Sequence, residues 1–347
     1  MVSFWRRFKR SDFYIRLTHW EYWPFGIVQF PLFIYYPWLA LRAGSLTFFT
    51  GSNPGIVMGG MFGESKFDVL KKIPEKWVPK TLLIRQPATV QGILSDISSN
   101  GLQFPLILKP DIGERGFMVK RINSASDITN YLNSMKHDFL VQEFVDYPVE
   151  LGVFYRRYPR DPKGQVTSVV IKEMLTVTGD GKSSFLELIT SNDRAKLQLP
   201  KLRETYRHQL TTVLPQGEQR EIVSIGNHCL GTKFLNGNGL IDTALNDVFD
   251  NLSKQINGFY FGRYDLRCES IGDLREGRFK ILELNGCGAE PAHIYDPEFP
   301  LSRAISTLIK HWKTIFDIAQ QNKAQGYRFL PLKEAVSHYH NFRSKTR

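Results

Sequence analysis

Two strand-like segments joined by a turn constrain the fold of this chain most strongly. Residues 260–269 read YFGRYDLRCE and residues 278–285 read RFKILELN, with the turn-rich SIGDLREG between them. Short apolar runs on either side of such a turn predict an antiparallel strand pair. Because side chains alternate between the two faces of a strand, polar residues two positions apart are expected to share a face. We therefore expect two sets of residues on common faces: Arg263, Asp265 and Arg267 on the first strand, and Phe279, Ile281, Glu283 and Asn285 on the second.

Acidic and amide side chains at matching ends of this strand pair indicate a metal site. Asp265, Glu283 and Asn285 offer hard oxygen ligands of the kind that Mg²⁺ takes when nucleotide phosphates complete its coordination. Arg263, two residues before Asp265, would suit an oxyanion or phosphate beside the ion. A cross-strand charge pair on a solvated face is the alternative interpretation, and the strand pair alone does not decide between them.

A lysine followed by a glycine-rich loop lies upstream. FPLILKP places Lys109 at the end of an apolar strand, and DIGERGFMV follows, with Gly113 and Gly116 around a polar loop. A lysine beside flexible backbone amides can bind phosphate. The loop is not a Walker motif, since GxxxxGK[ST] is absent. A surface charge followed by an ordinary turn is the alternative.

The next apolar strand has features of a nucleotide hinge. LVQEFV covers residues 140–145 and leads to Glu150. In this interpretation, one backbone carbonyl and one backbone amide of the hinge read an adenine ring, and the Glu150 carboxylate holds ribose hydroxyls.

Charge and cysteine content bound the classes of function. The chain of 347 residues has a net charge of +11, which favours anionic partners such as nucleotide phosphates, nucleic acid or acidic lipid. Nucleic-acid binding would rest on charge alone, so we do not expect it. Cys229, Cys268 and Cys287 lie far apart without metal-ligand spacing, which predicts no zinc site or disulfide framework and a reducing, cytoplasmic compartment.

The N-terminal segment is aromatic and rich in proline. Residues 22–41 carry no charge and follow a basic stretch with Arg6, Arg7, Lys9 and Arg10. Prolines 24, 31 and 37 recur through the run, and prolines at that spacing should repeatedly interrupt a helix. We therefore expect neither a simple transmembrane helix nor a signal peptide. An irregular segment packed on the core and a segment resting on the membrane surface, at the inner face, remain as alternatives.

The rest of the chain alternates short strands and helices, which predicts an α+β fold. Strands are expected at residues 104–108, 139–144 and 166–174, with helices at 126–136 and from Asp242 or Thr243 to Ile256. We expect an atypical segment at 1–65, a two-lobed domain at 66–310 and a helical extension at 311–347. Within the domain, the smaller lobe covers about residues 100–175 and the larger about 176–310.

The order of these motifs resembles the ATP-grasp superfamily over roughly residues 60–310, particularly D-alanine:D-alanine ligases and glutathione or cyanophycin synthetases. VTGDGKSSFLELI at residues 177–189 resembles a segment of the synthetase branch, and GRYD and ELN match its oxyanion and magnesium strands. The resemblance implies two α+β lobes that clamp ATP. It further implies an ATP site of Lys109, Gly113, Gly116, Glu143, Phe144, Val145, Glu150 and Lys172, a catalytic Arg263, and a metal site of Asp265, Glu283 and Asn285.

The resemblance also implies an activity. An ADP-forming ligase would activate a carboxylate as an acylphosphate and join it to an amine or thiol, using ATP and Mg²⁺, with two ions expected and Mn²⁺ as a substitute. A phosphotransferase and a membrane-associated, non-catalytic nucleotide-binding protein are the alternatives. The expected partners are a small carboxylate and an amine, with membrane or lipid contact and oligomeric state left open. Glu290, His293 and His228 are the candidate substrate residues.

Overall fold

The computed structural model describes residues 8, 11–114, 116–223, 226 and 228–346, without the side chains of Phe25 and Cys229. The basic residues Arg6, Arg7, Lys9 and Arg10 of the sequence interpretation lie outside these described residues.

The N-terminal segment is helical rather than irregular, which corrects the sequence expectation. Its helices are α1 (Asp12–Thr18), α2 (Phe25–Val28) and α3 (Phe30–Ala43). Pro24 precedes α2, and Pro31 lies in the first turn of α3, where an N–H has no partner inside the helix. Pro37 lies inside α3, which continues past it to Ala43. Most of the prolines therefore start helices instead of breaking them. Among the described residues, no helix combines the length and apolarity that crossing a membrane requires.

A four-stranded antiparallel sheet forms one wall of the cleft described below. Its strand order is β1-β4-β2-β3. Helices on this part of the chain bury isoleucine and tyrosine side chains against the sheet in one apolar cluster. The elements are α4 (Lys66–Leu70), β1 (Thr81–Ile84), α5 (Val90–Ser99), β2 (Leu106–Pro110), β3 (Lys120–Ile122), α6 (Ala125–Ser134) and β4 (Phe139–Glu143).

A five-stranded antiparallel sheet forms the other wall. Its order is β11-β10-β5-β6-β9, and β7 pairs with β8 in a separate ribbon. The elements are β5 (Val149–Arg156), β6 (Gln165–Glu173), β7 (Leu175–Thr178), α7 (Phe185–Ser191), α8 (Asp193–Leu197), α9 (Leu199–Thr205), β8 (Gln219–Val223), β9 (Lys233–Asn236), α10 (Thr243–Lys254), β10 (Phe261–Cys268), α11 (Ile271–Arg275) and β11 (Lys280–Asn285).

The helix predicted to begin near residue 242 is α10, and its capping is confirmed. The Asp242 side chain accepts a hydrogen bond from the backbone N–H of Leu245, which satisfies a donor that the helix start leaves open. Leu245, Phe249 and Leu252 lie on one side of α10 and are buried against the five-stranded sheet. The largest apolar cluster of the described residues includes side chains of both α10 and this sheet.

Two helices follow the sheets: α12 (Leu301–Ala324) and α13 (Leu332–Lys345). Residue 311, where we expected the C-terminal extension to begin, lies inside α12. Helices α3 and α12 pack together through Leu39, Ala40 and Ile315, which are buried in one cluster. The N-terminal segment is thereby attached to the rest of the protein. The expected α+β fold class is confirmed.

Candidate active site

The register of β10 and β11 brings the predicted metal residues together. Asp265 lies directly opposite Glu283, and Arg263 lies opposite Asn285. Directly opposite residues of an antiparallel pair point to the same face. All four side chains line one cleft of about 1010 Å³ between the two sheets. The expected convergence of this set is therefore present.

A β-bulge at Leu282 changes the alternation along β11. Asp265 pairs with Glu283, whereas the next residue, Leu266, pairs with Ile281. Because a bulge inserts one extra residue into a strand, the odd-numbered residues of β11 face the core before Leu282 and the cleft after it. Ile281 and Phe279 consequently lie in the apolar core, while Glu283 lies in the cleft. Our expectation that Phe279 and Ile281 share a face with Glu283 and Asn285 is wrong for this reason.

Asp265 is buried among cations. Its Oδ2 accepts hydrogen bonds from Arg263 Nη2 at 3.0 Å and from Asn285 Nδ2 at 2.9 Å, and its Oδ1 lies 3.0 Å from Lys172 Nζ. Burial alone would raise the pKa of Asp265, but Arg263 and Lys172 outweigh it and lower this pKa to about 2. Asp265 is therefore ionised across the physiological pH range.

Gly152 makes room for this arrangement on the neighbouring strand. It lies opposite Asp265 in the pairing of β5 with β10. A Cβ atom at position 152 would come within 2.7 Å of Val170 Cγ1 and 3.2 Å of both Arg263 Cδ and Asp265 Oδ1. The missing side chain thus lets Arg263 and Asp265 pack directly over the strand.

Glu150 and Lys172 extend the charged network along the cleft. Lys172 Nζ lies 3.1 Å from Glu150 Oε1, and Arg267 Nε donates to Glu150 Oε2 at 2.8 Å. Burial would lower the pKa of Lys172, but the carboxylates of Asp265 and Glu150 reverse the effect and raise it. Arg267 also donates to the backbone carbonyl of Val145 at 3.1 Å. The predicted hinge is therefore tied to the five-stranded sheet.

Lys109 lies at the opposite wall and is buried. Its ammonium group donates to Gln142 Oε1 and to the backbone carbonyl of Leu282, both at 2.9 Å. Burial lowers the pKa of Lys109 to about 8, although the Glu283 carboxylate opposes this effect. Lys109 is thus a cation that can give up its proton in mildly alkaline solution.

The remaining residues of the predicted nucleotide site line the same cleft. The loop glycines 113 and 116 lie there, although Arg115 between them lies outside the described residues. The backbone N–H of Lys80 donates to the Glu143 carboxylate at 3.1 Å, and Arg121 stacks over the Phe144 ring with its Cζ 4.1 Å from the ring centre. The structure therefore brings together Lys109, Gly113, Gly116, Glu143, Phe144, Val145, Glu150, Lys172, Arg263, Asp265, Glu283 and Asn285.

The three candidate substrate residues fall into different places. Glu290 lines the cleft, where Tyr295 Oη donates to its Oε2 at 2.5 Å and Gln29 Nε2 donates to its Oε1. His228 also lines the cleft, with its Nε2 2.9 Å from Glu21 Oε2. His293 is buried away from the cleft lining, 2.6 Å from Ser168 Oγ. Burial lowers the pKa of His293 to about 4.

Several cleft residues were missed in the sequence. Lys66 Nζ lies 3.4 Å from Glu283 Oε1 and also donates to the backbone carbonyl of Gly113. The buried Oε2 of Glu64 has no hydrogen-bond partner among the described residues. Burial raises the pKa of Glu64, and the neighbouring Glu283 adds to the effect while Lys66 opposes it. No local pattern marks Lys66 or Glu64, because chain packing rather than a motif brings them to the cleft.

The donor chemistry of this site fits Mg²⁺ coordination. No group of three or more His, Cys, Asp or Glu side chains in the described ranges is arranged to hold a metal ion. The predicted set differs, because it combines two carboxylates, Asp265 and Glu283, with the Asn285 amide. These are hard oxygen donors on adjacent strands, and Mg²⁺ typically takes one or two carboxylates and leaves its other positions to substrate phosphates.

Comparisons with known proteins give distant structural likeness. No protein-family model matches the sequence, and no curated protein matches it. The VanG D-Ala:D-Ser ligase from Enterococcus faecalis is similar at 14% identity and a TM-score of 0.42, over 74% of this chain and 62% of that chain. A D-alanine–D-alanine ligase from Bacillus anthracis is similar at 12% identity and a TM-score of 0.42, over 75% of this chain and 68% of that chain.

A bifunctional glutathione synthetase from Pasteurella multocida is also similar, at 13% identity and a TM-score of 0.36, over 70% of this chain and 35% of that chain. The three solved structures are of enzymes of the kinds that the sequence motifs resemble. The chain spans only part of each of these proteins.

Proposed function

We propose that this protein is an ATP-dependent, ADP-forming ligase that activates a carboxylate as an acylphosphate and joins it to an amine. The observation that supports this most is the convergence of Lys109, Glu150 and Asp265 in one cleft, although they are far apart in the sequence. Each residue alone is compatible with an ordinary charge pair. Together with Lys172 they place cations on both walls of the cleft and two carboxylates on the wall formed by the five-stranded sheet.

In the proposed reaction, a substrate carboxylate oxygen attacks the γ-phosphorus of ATP and ADP leaves. The amine then attacks the acyl carbon, phosphate leaves, and the nitrogen loses a proton. Lys109 and Lys172 offset phosphate charge, because phosphoryl transfer depends on positioning and electrostatic stabilisation. Arg263 lies beside Asp265 and donates to the oxyanion of the second step.

Asp265, Glu283 and Asn285 would hold Mg²⁺ in this proposal. A bound Mg²⁺ ion supplies Lewis-acid stabilisation of phosphate oxygens. Neighbouring residues hold these side chains in place. Arg263 donates to Asp265 at 3.0 Å and favours its ionised form. Asn285 also donates to Asp265, at 2.9 Å, and Lys66 lies 3.4 Å from Glu283.

The acceptor side of the cleft contains Glu290 and His228. Glu290 lies next to Arg263, whose Nη1 donates to the backbone carbonyl of Glu290 at 3.1 Å. A carboxylate at this position suits an amine that carries positive charge before it reacts. We propose Glu290 as the residue that orients the amine. Tyr295 donates to Glu290, and its ring centre lies 5.4 Å from that of His228.

The test is product analysis with matched variants. The protein is incubated with Mg-ATP and pooled carboxylic and amino acids, and ADP, AMP and free phosphate are measured. We expect ADP and phosphate in equal amounts, dependent on both substrates. Glu283→Gln should lower the rate by about 10²-fold or more, whereas Glu269→Gln, at an exposed acid outside the cleft, should leave it unchanged. ADP without free phosphate would indicate phosphotransfer, and unchanged ADP release in Glu283→Gln would contradict the site.

A further inference from the structure

The helix α3 has a buried side and an exposed apolar side. Leu39 and Ala40 are buried against α12. The exposed side carries Leu41, which is 81% exposed, and Ile34, which is 67% exposed. Residues three, four, seven or eight positions apart share one side of a helix. We call the set Phe30, Phe33, Ile34, Trp38 and Leu41 the outer face of α3.

Neighbouring parts of the N-terminal segment enlarge the exposed apolar area. Phe13 and Leu17 on α1 and Ile27 on α2 are also more than half exposed. Half of the large hydrophobic side chains that are exposed in the described part of the chain lie between residues 13 and 46. Large exposed apolar surfaces on proteins in water mark interaction sites, so a partner is expected at the outer face of α3.

The charge of the segment identifies the chemistry of that partner. Residues 1–46 contain only two acidic residues, Asp12 and Glu21, and Glu21 is buried in an ion pair with Arg194. The Arg42 guanidinium lies over the Trp38 ring, with its Cζ 4.8 Å from the ring centre, so a cation borders the outer face. The basic residues of this stretch are Arg6, Arg7, Lys9, Arg10, Arg16 and Arg42.

We propose that the outer face of α3 docks on the surface of an anionic lipid bilayer. Exposed apolar side chains would enter the boundary between headgroups and acyl chains, and the basic residues would contact lipid phosphates and carboxylates. Trp38 suits this boundary because its ring is amphipathic. Helix α3 has 14 residues, fewer than the about 20 that a membrane crossing needs. It therefore lies along the surface.

Surface docking would also place the cleft at the membrane. The same segment that carries the outer face lines the cleft with Trp23, Val28 and Gln29. In a protein docked through α3, the segment that contacts the bilayer therefore also contributes to the lining of the cleft. This interaction stands independently of the proposed ligase activity, because it depends on the outer face and not on the charged residues of the cleft.

Vesicle flotation tests the proposal with the full-length protein. We expect the protein to float with vesicles of phosphatidylcholine and phosphatidylserine, and to float less with phosphatidylcholine alone or at high salt. The triple variant Phe33→Ser, Ile34→Ser, Leu41→Ser removes three exposed side chains and should lower binding at least about tenfold. The double variant Leu332→Ser, Val336→Ser changes exposed apolar residues on α13 and should bind as the wild type does.

Three outcomes would overturn the proposal. Wild-type protein that stays unbound with anionic vesicles would exclude lipid docking, as would undiminished flotation of the triple variant. The third outcome is a dimer, detected by light scattering without lipid, that the triple variant abolishes while the wild type does not float. That result would assign the outer face to a second copy of this chain. Circular dichroism melting of both variants confirms that each one is folded.

Discussion

Lys109 Nζ in the four-stranded sheet donates a hydrogen bond to the backbone carbonyl of Leu282 in the five-stranded sheet, at 2.9 Å. Leu282 is the bulged residue of β11, which is an edge strand of its sheet. An ammonium group has three donors, and Gln142 takes a second one. One buried lysine therefore joins both walls of the cleft, and a phosphate group that approaches Lys109 approaches the junction of the two sheets.

Nucleotide affinity should fall in alkaline solution because of Lys109. Burial sets its pKa at about 8, and ATP phosphates bind the protonated form. The free protein loses this proton as the pH rises past about 8, so the apparent Kd for ATP should increase by up to about tenfold per pH unit above that value. A fluorescent ATP analogue titrated between about pH 7 and about pH 9.5 measures it. Lys109→Met should bind weakly without this pH step, and a flat profile in the wild type would refute the role of Lys109.

Substitutions of Asp265 and Glu283 should lower the free energy of unfolding by different amounts, although both residues are expected to be needed for ATP turnover. Asp265→Asn leaves Arg263 and Lys172 as buried cations without their shared carboxylate, which should cost about 3–5 kcal/mol of unfolding free energy. Glu283 has a side chain 33% exposed and a single ion pair at 3.4 Å to Lys66, so Glu283→Gln should cost about 1 kcal/mol or less. Urea unfolding measures both. Equal losses would contradict the described network around Asp265.

Glu64→Gln should stabilise the protein, and the gain should grow with pH. The pKa of Glu64 is raised above 4.5 in the folded protein, so ionisation favours the unfolded chain. As the pH rises, the unfolded chain loses the Glu64 proton before the folded protein does. The free energy of unfolding therefore falls as the pH approaches the folded pKa of Glu64. The melting temperature of Glu64→Gln relative to the wild type should therefore increase from about pH 5 to about pH 8. Glu269→Gln, at an exposed acid, serves as the control; a gain that is the same at both pH values would argue against a raised pKa.

Gly152→Ala should impair both folding and the candidate reaction. The added Cβ would lie 2.7 Å from Val170 Cγ1 and 3.2 Å from Arg263 Cδ, so Arg263 must move. Overpacking of this kind typically costs about 1–3 kcal/mol. We expect a lower melting temperature and slower ADP release. Gly239→Ala has open space around its new Cβ and should change neither property; a wild-type rate in Gly152→Ala would show that Arg263 tolerates displacement.

The order of the motifs and most elements could be predicted from the sequence. The helix from Thr243 begins at the predicted cap Asp242, and the strands around Asp265 and Glu283 were found from their apolar runs. These features depend on neighbours within a few residues, where the side-chain pattern and turn residues carry the information. The pairing of Asp265 with Glu283 follows from such local rules.

The expectation of an irregular N-terminal segment is wrong because it considered the spacing of the prolines and not their positions within each helix. Pro31 lies in the first turn of α3, where its missing N–H costs no hydrogen bond. The number of prolines suggested repeated breaks, but their position relative to each helix start determines their effect. Only Pro37 of this set lies beyond the first turn of a helix in the described residues.

The sequence by itself determined which chemical groups lie on β10 and β11 and in what order they follow Lys109. The tertiary structure decided the rest. The bulge at Leu282 places Ile281 in the core, because a shift of one residue exchanges the two faces of a strand. No local pattern in the sequence indicates this bulge. Lys66 and Glu64 reached the cleft, and His293 did not line it, because these positions depend on packing between segments far apart in the chain. Such contacts are set by the shape of the whole fold, which no short window of sequence contains.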